Sequence, residues 1–413
     1  MILVLSTCVF INYANYSFLI SLGAIGRIIA AIRLPLLLLP WIGFVNASIE
    51  FRKGFRVFLR RNIDVVLLLI AFSPGAINSM NVLDFILYFF WFSACILTLL
   101  LFTYTIAYRQ NQSTAFDNFT KVLLYSGFLA FLDLLRNFSG LADTKNVYTF
   151  FLVLLILSIV VRSVVKRYHG LPRQHYLLGI LDSIWLKVPV IMCVLYLSVT
   201  SGRRSSFVIL LFLISYSFLL QSVKSQMGRL AVLVACMTTA VTGFGSVTAI
   251  LNTDDEQFQT LNRLSRIEIG GDRNEVVDES YAIRQRVWQG YLEVFREFPI
   301  VGVGIGNGTY HHERVVPKIT LYGEGISGKG SHNTYLLILV ESGVIGLFLF
   351  LVVAGRSIIL FVTRSSGVFR YLFVLMILPA ALICWTEQNL YPGQAYFFGL
   401  WMPLMFARIY TIR

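Results

Sequence analysis

Among the five histidines of this 413-residue chain, His332 stands apart. It lies in Ser331-His332-Asn333-Thr334-Tyr335, where a long polar stretch gives way to an apolar run. An imidazole accepts a proton at neutral pH, so a histidine at a water–lipid boundary facing a basic loop is a candidate general base. A lone histidine is more often structural, and His311-His312 offers a rival that is more exposed by its sequence context but has no comparable framework. A second constellation is Thr200-Ser201-Gly202-Arg203-Arg204-Ser205-Ser206, a tight turn between apolar runs. Arginine keeps its proton and presents a fork of donors suited to phosphate. The alternative for this turn is an anchor that snorkels to lipid headgroups. A third is Pro299-Ile-Val-Gly302-Val-Gly304-Ile-Gly306-Asn307. Its alternating glycines permit a tight turn or a close backbone approach. The spacing fails the dinucleotide fingerprint at Asn307, and a structural turn is the better reading of the motif taken alone.

The elements that must carry these residues are membrane helices. The chain is 57% hydrophobic and 13% charged, about half the charge of an ordinary soluble domain, with a mean hydropathy of +0.74. Its apolar runs repeatedly reach the roughly 20 residues needed to cross a bilayer. The sequence predicts an all-α integral membrane protein of about twelve transmembrane helices, near 2–24, 28–48, 65–82, 84–108, 121–138, 147–165, 177–200, 206–222, 230–250, 334–362, 371–386 and 394–411. The apolar N-terminus has no basic residues ahead of it and reads as a retained first helix rather than a cleaved signal. The organisation is then nine helices over 1–250, a large outer loop over 251–333 that carries short helices, and three helices over 334–413. Cys8, Cys95, Cys193, Cys236 and Cys384 all fall in apolar runs, which argues against a disulfide framework and shows no zinc pattern.

A net charge of +13 in a membrane protein speaks first of topology, not of nucleic acid. Arg52, Lys53, Arg56, Arg60 and Arg61 mark one cytoplasmic connection, and Lys166, Arg167 and Arg173 another. That places both termini inside and residues 251–333 outside. Arg203 and Arg204 then sit on a short outer turn against the usual bias, while Lys224 and Arg229 lie inside as topology markers. A loop this long between helices is commonly functional. Within it, Val287, Tyr291, Val294, Phe295 and Phe298 form one face of a helical period over 283–298. Such a helix could lie flat on the outer membrane surface. Arg284 projects from the apolar face, where a charge needs a partner; Arg286 is turned to the opposite face with Glu293 and Glu297, as part of a solvated, ion-paired surface. Asp133, Asp182, Lys187 and Glu341 fall inside predicted spans, where ionisable groups are costly. In a continuous helix Glu341 would lie about 13 Å below His332, too far for a proton relay. An interhelical hydrogen bond suits it better, with Gly343 and Gly346 allowing close helix packing.

Together these segments resemble a known pattern. Arg284-Gln-Arg-Val-Trp288, the glycine motif at 299–306, His332-Asn333-Thr334-Tyr335-Leu336 and Glu341-Ser-Gly343-Val-Ile-Gly346-Leu resemble the O-antigen ligase and O-antigen polymerase superfamily of bacterial inner-membrane glycan enzymes. The similarity is sharpest over 280–350 and looser over 195–250; the first 190 residues match only in hydropathy and span count. The resemblance implies a C-type glycosyltransferase fold in the inner membrane. Its substrate would be an undecaprenyl-pyrophosphate-linked oligosaccharide at the periplasmic face, its chemistry inverting and metal-independent, with no cofactor. His332 would be the catalytic base, flanked by Asn333 and Tyr335. Arg284 would bind the pyrophosphate, with Arg204 or Arg203, the doubled arginine leaving that choice open. Gly302, Gly304, Gly306 and Glu341 would support the site. Without a metal, cations must hold the leaving group's growing charge; one pair at about 4 Å is worth roughly 4 kcal/mol before desolvation at an effective dielectric near 20.

The same base and clamp serve two activities. A polymerase joins one lipid-linked repeat unit to another; a ligase moves the finished glycan to lipid A–core. The aromatic-rich N-terminal half, as a variable acceptor surface, favours polymerase, and a chain-length regulator would be a natural partner. A transporter or flippase of lipid-linked glycan is a different class. It would need the cations but not a base, so the pairing of Arg284 with His332 separates it from the enzymes.

Overall fold

The computed structural model describes residues 39–108, 279–318, 320–321, 324–365 and 397–412, with isolated positions between 118 and 121 and between 377 and 390. The chain divides into two compact units, and nearly all described residues belong to the one formed by 7–115 and 279–413. The predicted spans between 121 and 250 lie outside the described residues, as do those at 2–24, much of 28–48 and most of 371–386. So do Arg203, Arg204, Asp133, Asp182 and Lys187.

The basic stretch expected as a connection after the second span is a helix, α1 (Ile49–Arg61). Ser48 caps it by accepting a hydrogen bond from the Phe51 N–H at 3.2 Å, Glu50 stands in its first turn and Arg60 and Arg61 in its last, each sign placed to favour the helix dipole. Phe55 and Phe58 face inward, while Arg52, Lys53 and Arg56 are exposed. The predicted span at 65–82 is shorter than a full crossing helix. It is α2 (Ile63–Ala71) continued by a 3₁₀ turn over Pro74–Asn78, because proline fits the first position of a new turn but not the interior of a helix. The span expected at 84–108 is α3 (Val82–Ala107), capped by the Asn81 side chain.

In the outer segment, α4 (Glu279–Glu297) covers the expected 283–298 helix. A short helix α5 (Gly308–Val315) follows, then strands β1 (Thr320–Leu321) and β2 (Glu324–Gly325) in antiparallel register. This two-residue ladder is the sole strand pairing among the described residues of an otherwise helical fold. The next helix, α6 (Thr334–Arg364), matches the span predicted at 334–362 but is broken at Gly343, whose backbone lies at φ 66° and ψ −169°. Residues 344–364 alone rise about 31 Å, close to the ~30 Å hydrocarbon thickness. Of the described helices, α3 and α6 are long and apolar enough to cross a membrane. α7 (Phe397–Phe406) and a 3₁₀ turn over Ala407–Thr411 end the chain.

α6 packs on α2 and α4, and α7 on α3. One end of this bundle is closed by ions the sequence did not single out. Buried Asp64 meets Arg356 at 2.6 Å and Arg408 at 2.8 Å. Arg408 is fully buried and also donates to Val353 O. Arg61 donates to Thr411 O at 2.7 Å, so the end of α1 and the C-terminal turn lie at the same end of the bundle. Asn78, at the far end of the α2 segment, meets the glycine loop at the opposite end of the bundle.

Candidate functional site

The glycine motif and the break in α6 form one joint. In an uninterrupted helix the Val344 N–H would bond the Val340 carbonyl. Here Val344 N donates to Pro299 O at 2.9 Å, while Val303 N donates to Val340 O at 3.0 Å and Gly304 N to Glu341 O at 2.9 Å. The loop thus takes over the partners that the helix gives up. The exchange requires glycine on both sides. Gly302, Gly304 and Gly306 all have positive φ, at 71°, 88° and 83°. A Cβ at Gly302 would lie 2.4 Å from the Glu341 carbonyl carbon, and one at Gly343 would lie 2.1 Å from Ile300 O. The structural-turn reading of the motif describes its backbone well. Among the described residues, Gly343 is the break itself and meets the loop at Ile300 rather than a neighbouring span, and a Cβ at Gly346 would strike Ser342 of the same helix.

Glu341 is buried and its carboxylate accepts from the Gly308 N–H at 3.1 Å, at the start of α5. Among the described residues, one partner of Glu341 is thus the start of the loop helix α5. Residues missed by the sequence reading complete the joint. Buried Asn307 accepts from Asn81 N at 2.7 Å and donates to Asn81 O at 3.2 Å, and Asn78 donates to Gly302 O at 2.9 Å. Asparagine beside a glycine run signals a turn; nothing in the sequence names its partner 226 positions away.

His332 is carried on the next segment. It is exposed, and its backbone is the one non-glycine position with positive φ among the described residues, at 46°. Its neighbours are pinned on both sides. Ser331 Oγ donates to Asn333 O at 2.9 Å, and Asn333 caps α6 by accepting from Leu336 N at 3.0 Å. From α4, Trp288 Nε1 donates to Ser331 O at 2.6 Å and the Tyr291 hydroxyl donates to Lys329 O at 3.1 Å. Tyr335, in the first turn of α6, donates to Ala381 O at 3.0 Å. The left-handed backbone at His332 is held from outside itself, the condition under which such conformations persist at functional sites.

Arg284 is half-buried on α4, one turn before Trp288. The helix that holds the histidine segment thus carries this arginine about 6 Å further along its axis. Val287, Tyr291 and Val294 are buried, as the period required. α4 does not lie alone on a surface; it packs against α6 and α5. Arg286 is exposed as expected, but it donates to Gln289 at 3.0 Å, while Glu297 pairs with Arg314.

The His311-His312 pair, expected to be the more exposed, is buried. His311 Nε2 donates to Asn78 O at 2.9 Å and His312 Nε2 to Val287 O at 3.2 Å, which fixes the tautomer of both rings. His312 stacks on Tyr291 at 4.7 Å, and Phe298 meets His311 edge-on. Burial pushes both imidazoles below their ordinary pKa. They are internal struts between α5, α4 and the turn at 74–78. His332, by contrast, is exposed on a backbone whose neighbours are held by Trp288 and Asn333.

Residues 189–351 match the family model described as O-antigen ligase. No curated protein matches the chain. The matched stretch spans both parts of the sequence resemblance, 195–250 and 280–350, and contains Arg203, Arg204, Arg284, the glycine motif, His332 and Glu341. The sharpest motifs of this helical chain all fall inside that match, so that over residues 189–351 the chain is similar to the O-antigen ligase family.

Proposed function

We propose that the protein transfers a glycan from undecaprenyl pyrophosphate to a sugar hydroxyl of an acceptor at the periplasmic face of the inner membrane. His332 takes the proton of the acceptor hydroxyl as its oxygen attacks the anomeric carbon of the lipid-linked sugar. The bond from that carbon to the pyrophosphate oxygen breaks, the anomeric configuration inverts, and undecaprenyl pyrophosphate leaves. Arg284, with Arg203 or Arg204, holds the charge that grows on the pyrophosphate, so no metal is needed. Positioned base catalysis of this kind typically contributes about 10²- to 10⁴-fold.

The observation that carries this reading is the mounting of His332. It is an exposed imidazole on a left-handed backbone, tied through Trp288 to the helix that bears Arg284. A transporter has use for the cations but none for a base held in this way. Polymerisation of lipid-linked repeat units is the activity we favour. Ligation to lipid A–core is the second reading, supported by the description of the matching family.

The purified protein in detergent, given only undecaprenyl-pyrophosphate-linked repeat units, is expected to produce a ladder of longer lipid-linked glycans. His332→Ala is expected to abolish the ladder while still binding the lipid-linked substrate. Product that appears only after lipid A–core is added identifies a ligase. Undiminished product from His332→Ala removes the histidine from its role, and no transfer under either condition restores the transporter.

A further inference from the structure

Trp385 lies beside this site and takes no part in the chemistry above. It is 59% exposed, the most exposed tryptophan among the described residues. Two rings brace it. Trp288 stands T-shaped to it at 6.4 Å and Tyr335 tilted at 6.5 Å. These rings bracket the histidine segment. Trp288 holds Ser331, immediately before His332, and Tyr335 follows His332 by three residues, with its hydroxyl tied to Ala381 O four residues before Trp385. The exposed indole therefore belongs to the same surface as the candidate base.

A tryptophan near the end of a membrane span can serve as an interfacial anchor. That role asks only for contact with lipid headgroups. It gives no reason for the indole to be braced by the residues that hold His332. A flat ring held by two neighbours loses little freedom on binding. Its π face is negative and attracts the C–H hydrogens on one face of a pyranose, while the hydroxyls at the rim of that sugar remain free to reach an imidazole.

We propose that Trp385, propped by Trp288 and Tyr335, is the stacking platform of an acceptor subsite that binds a pyranose ring of the acceptor glycan beside His332. The inference rests on the glycan-transfer reading. The test uses the full-length protein in nanodiscs and, as probe, the free oligosaccharide released by mild acid from the lipid-linked glycan of the source cells. Binding is followed by saturation-transfer NMR for wild type, His332→Ala, Trp385→Leu and Trp385→Phe, alongside transfer assays. Wild type and His332→Ala are expected to bind alike, Trp385→Leu about tenfold more weakly, and Trp385→Phe nearly as well as wild type. Trp385→Leu keeps apolar bulk without a π face, so wild-type binding by that variant overturns the platform even where transfer proceeds. A wild-type protein that neither binds the oligosaccharide nor transfers glycan overturns both the platform and the transferase reading.

Discussion

A methyl group at Gly343 has nowhere to go. It would stand 2.1 Å from Ile300 O on a backbone with φ of 66°, and both the contact and the conformation penalise a side chain. Gly343→Ala is expected to cost about 2 kcal/mol or more, read as a lower melting temperature in detergent. Gly355, in the same helix, has nothing within 4 Å of where a methyl group would sit; Gly355→Ala is expected to be neutral or to stabilise by up to about 1 kcal/mol through helix propensity. From the sequence, Gly343 reads as a packing glycine because the span predicted at 334–362 runs through it. The break depends on a distant loop, at Pro299–Gly304, that supplies replacement partners, and hydropathy contains no trace of such a partner. His332 could be found because its residue type and its position at a polarity boundary are local facts. The backbone strain at His332 could not.

At the scale of elements, α4 was legible and α5 was not. A period of 3.6 places Val287, Tyr291 and Val294 on one face without knowledge of what covers them. The eight residues of α5 hold two histidines, a glutamate and an arginine, a polar composition that argues for exposure, yet tertiary contact buries both imidazoles. Their burial makes the docking of α5 sensitive to acid. Burial lowers both pKa values; around His311, Arg314 lowers its pKa further, while the Asn78 carbonyl and Glu297 raise it. The Val287 carbonyl raises that of His312 in the same way. An unfolded histidine titrates near 6.5. Above that pH the rings are neutral in both states and their contribution to stability is whole. As pH falls through about 6.5 toward the lower folded values, the unfolded chain takes up protons that the folded one refuses, and stability declines. Thermal unfolding is expected at lower temperature near pH 5.5 than near pH 7.5, and His311→Gln with His312→Gln is expected to flatten that dependence.

For the whole molecule, the end of the bundle opposite the glycine loop depends on the cluster of Asp64, Arg356 and Arg408. Removing the carboxylate leaves Arg408 as a buried, uncompensated charge. Asp64→Ala is expected to cost about 3–5 kcal/mol, seen as less folded protein in the membrane and a lower melting temperature. Asp64→Leu combined with Arg408→Met is expected to recover most of that loss, because it removes the stranded charge along with its partner. The contact between Arg61 and Thr411 ties the end of α1 to this same end of the bundle. Asp64 and Arg408 escaped notice because each lies at the edge of an apolar run, where an ion reads as a boundary mark.

The joint between residues 299–304 and 340–344 also bears on inheritance. Each side fills the space that the other's missing side chains leave, and each carries hydrogen-bonding groups that the other must satisfy. A change on one side is tolerated only with a matching change on the other. Two stretches that look like separate motifs should therefore pass through descent as a single heritable character, gained, altered or lost together.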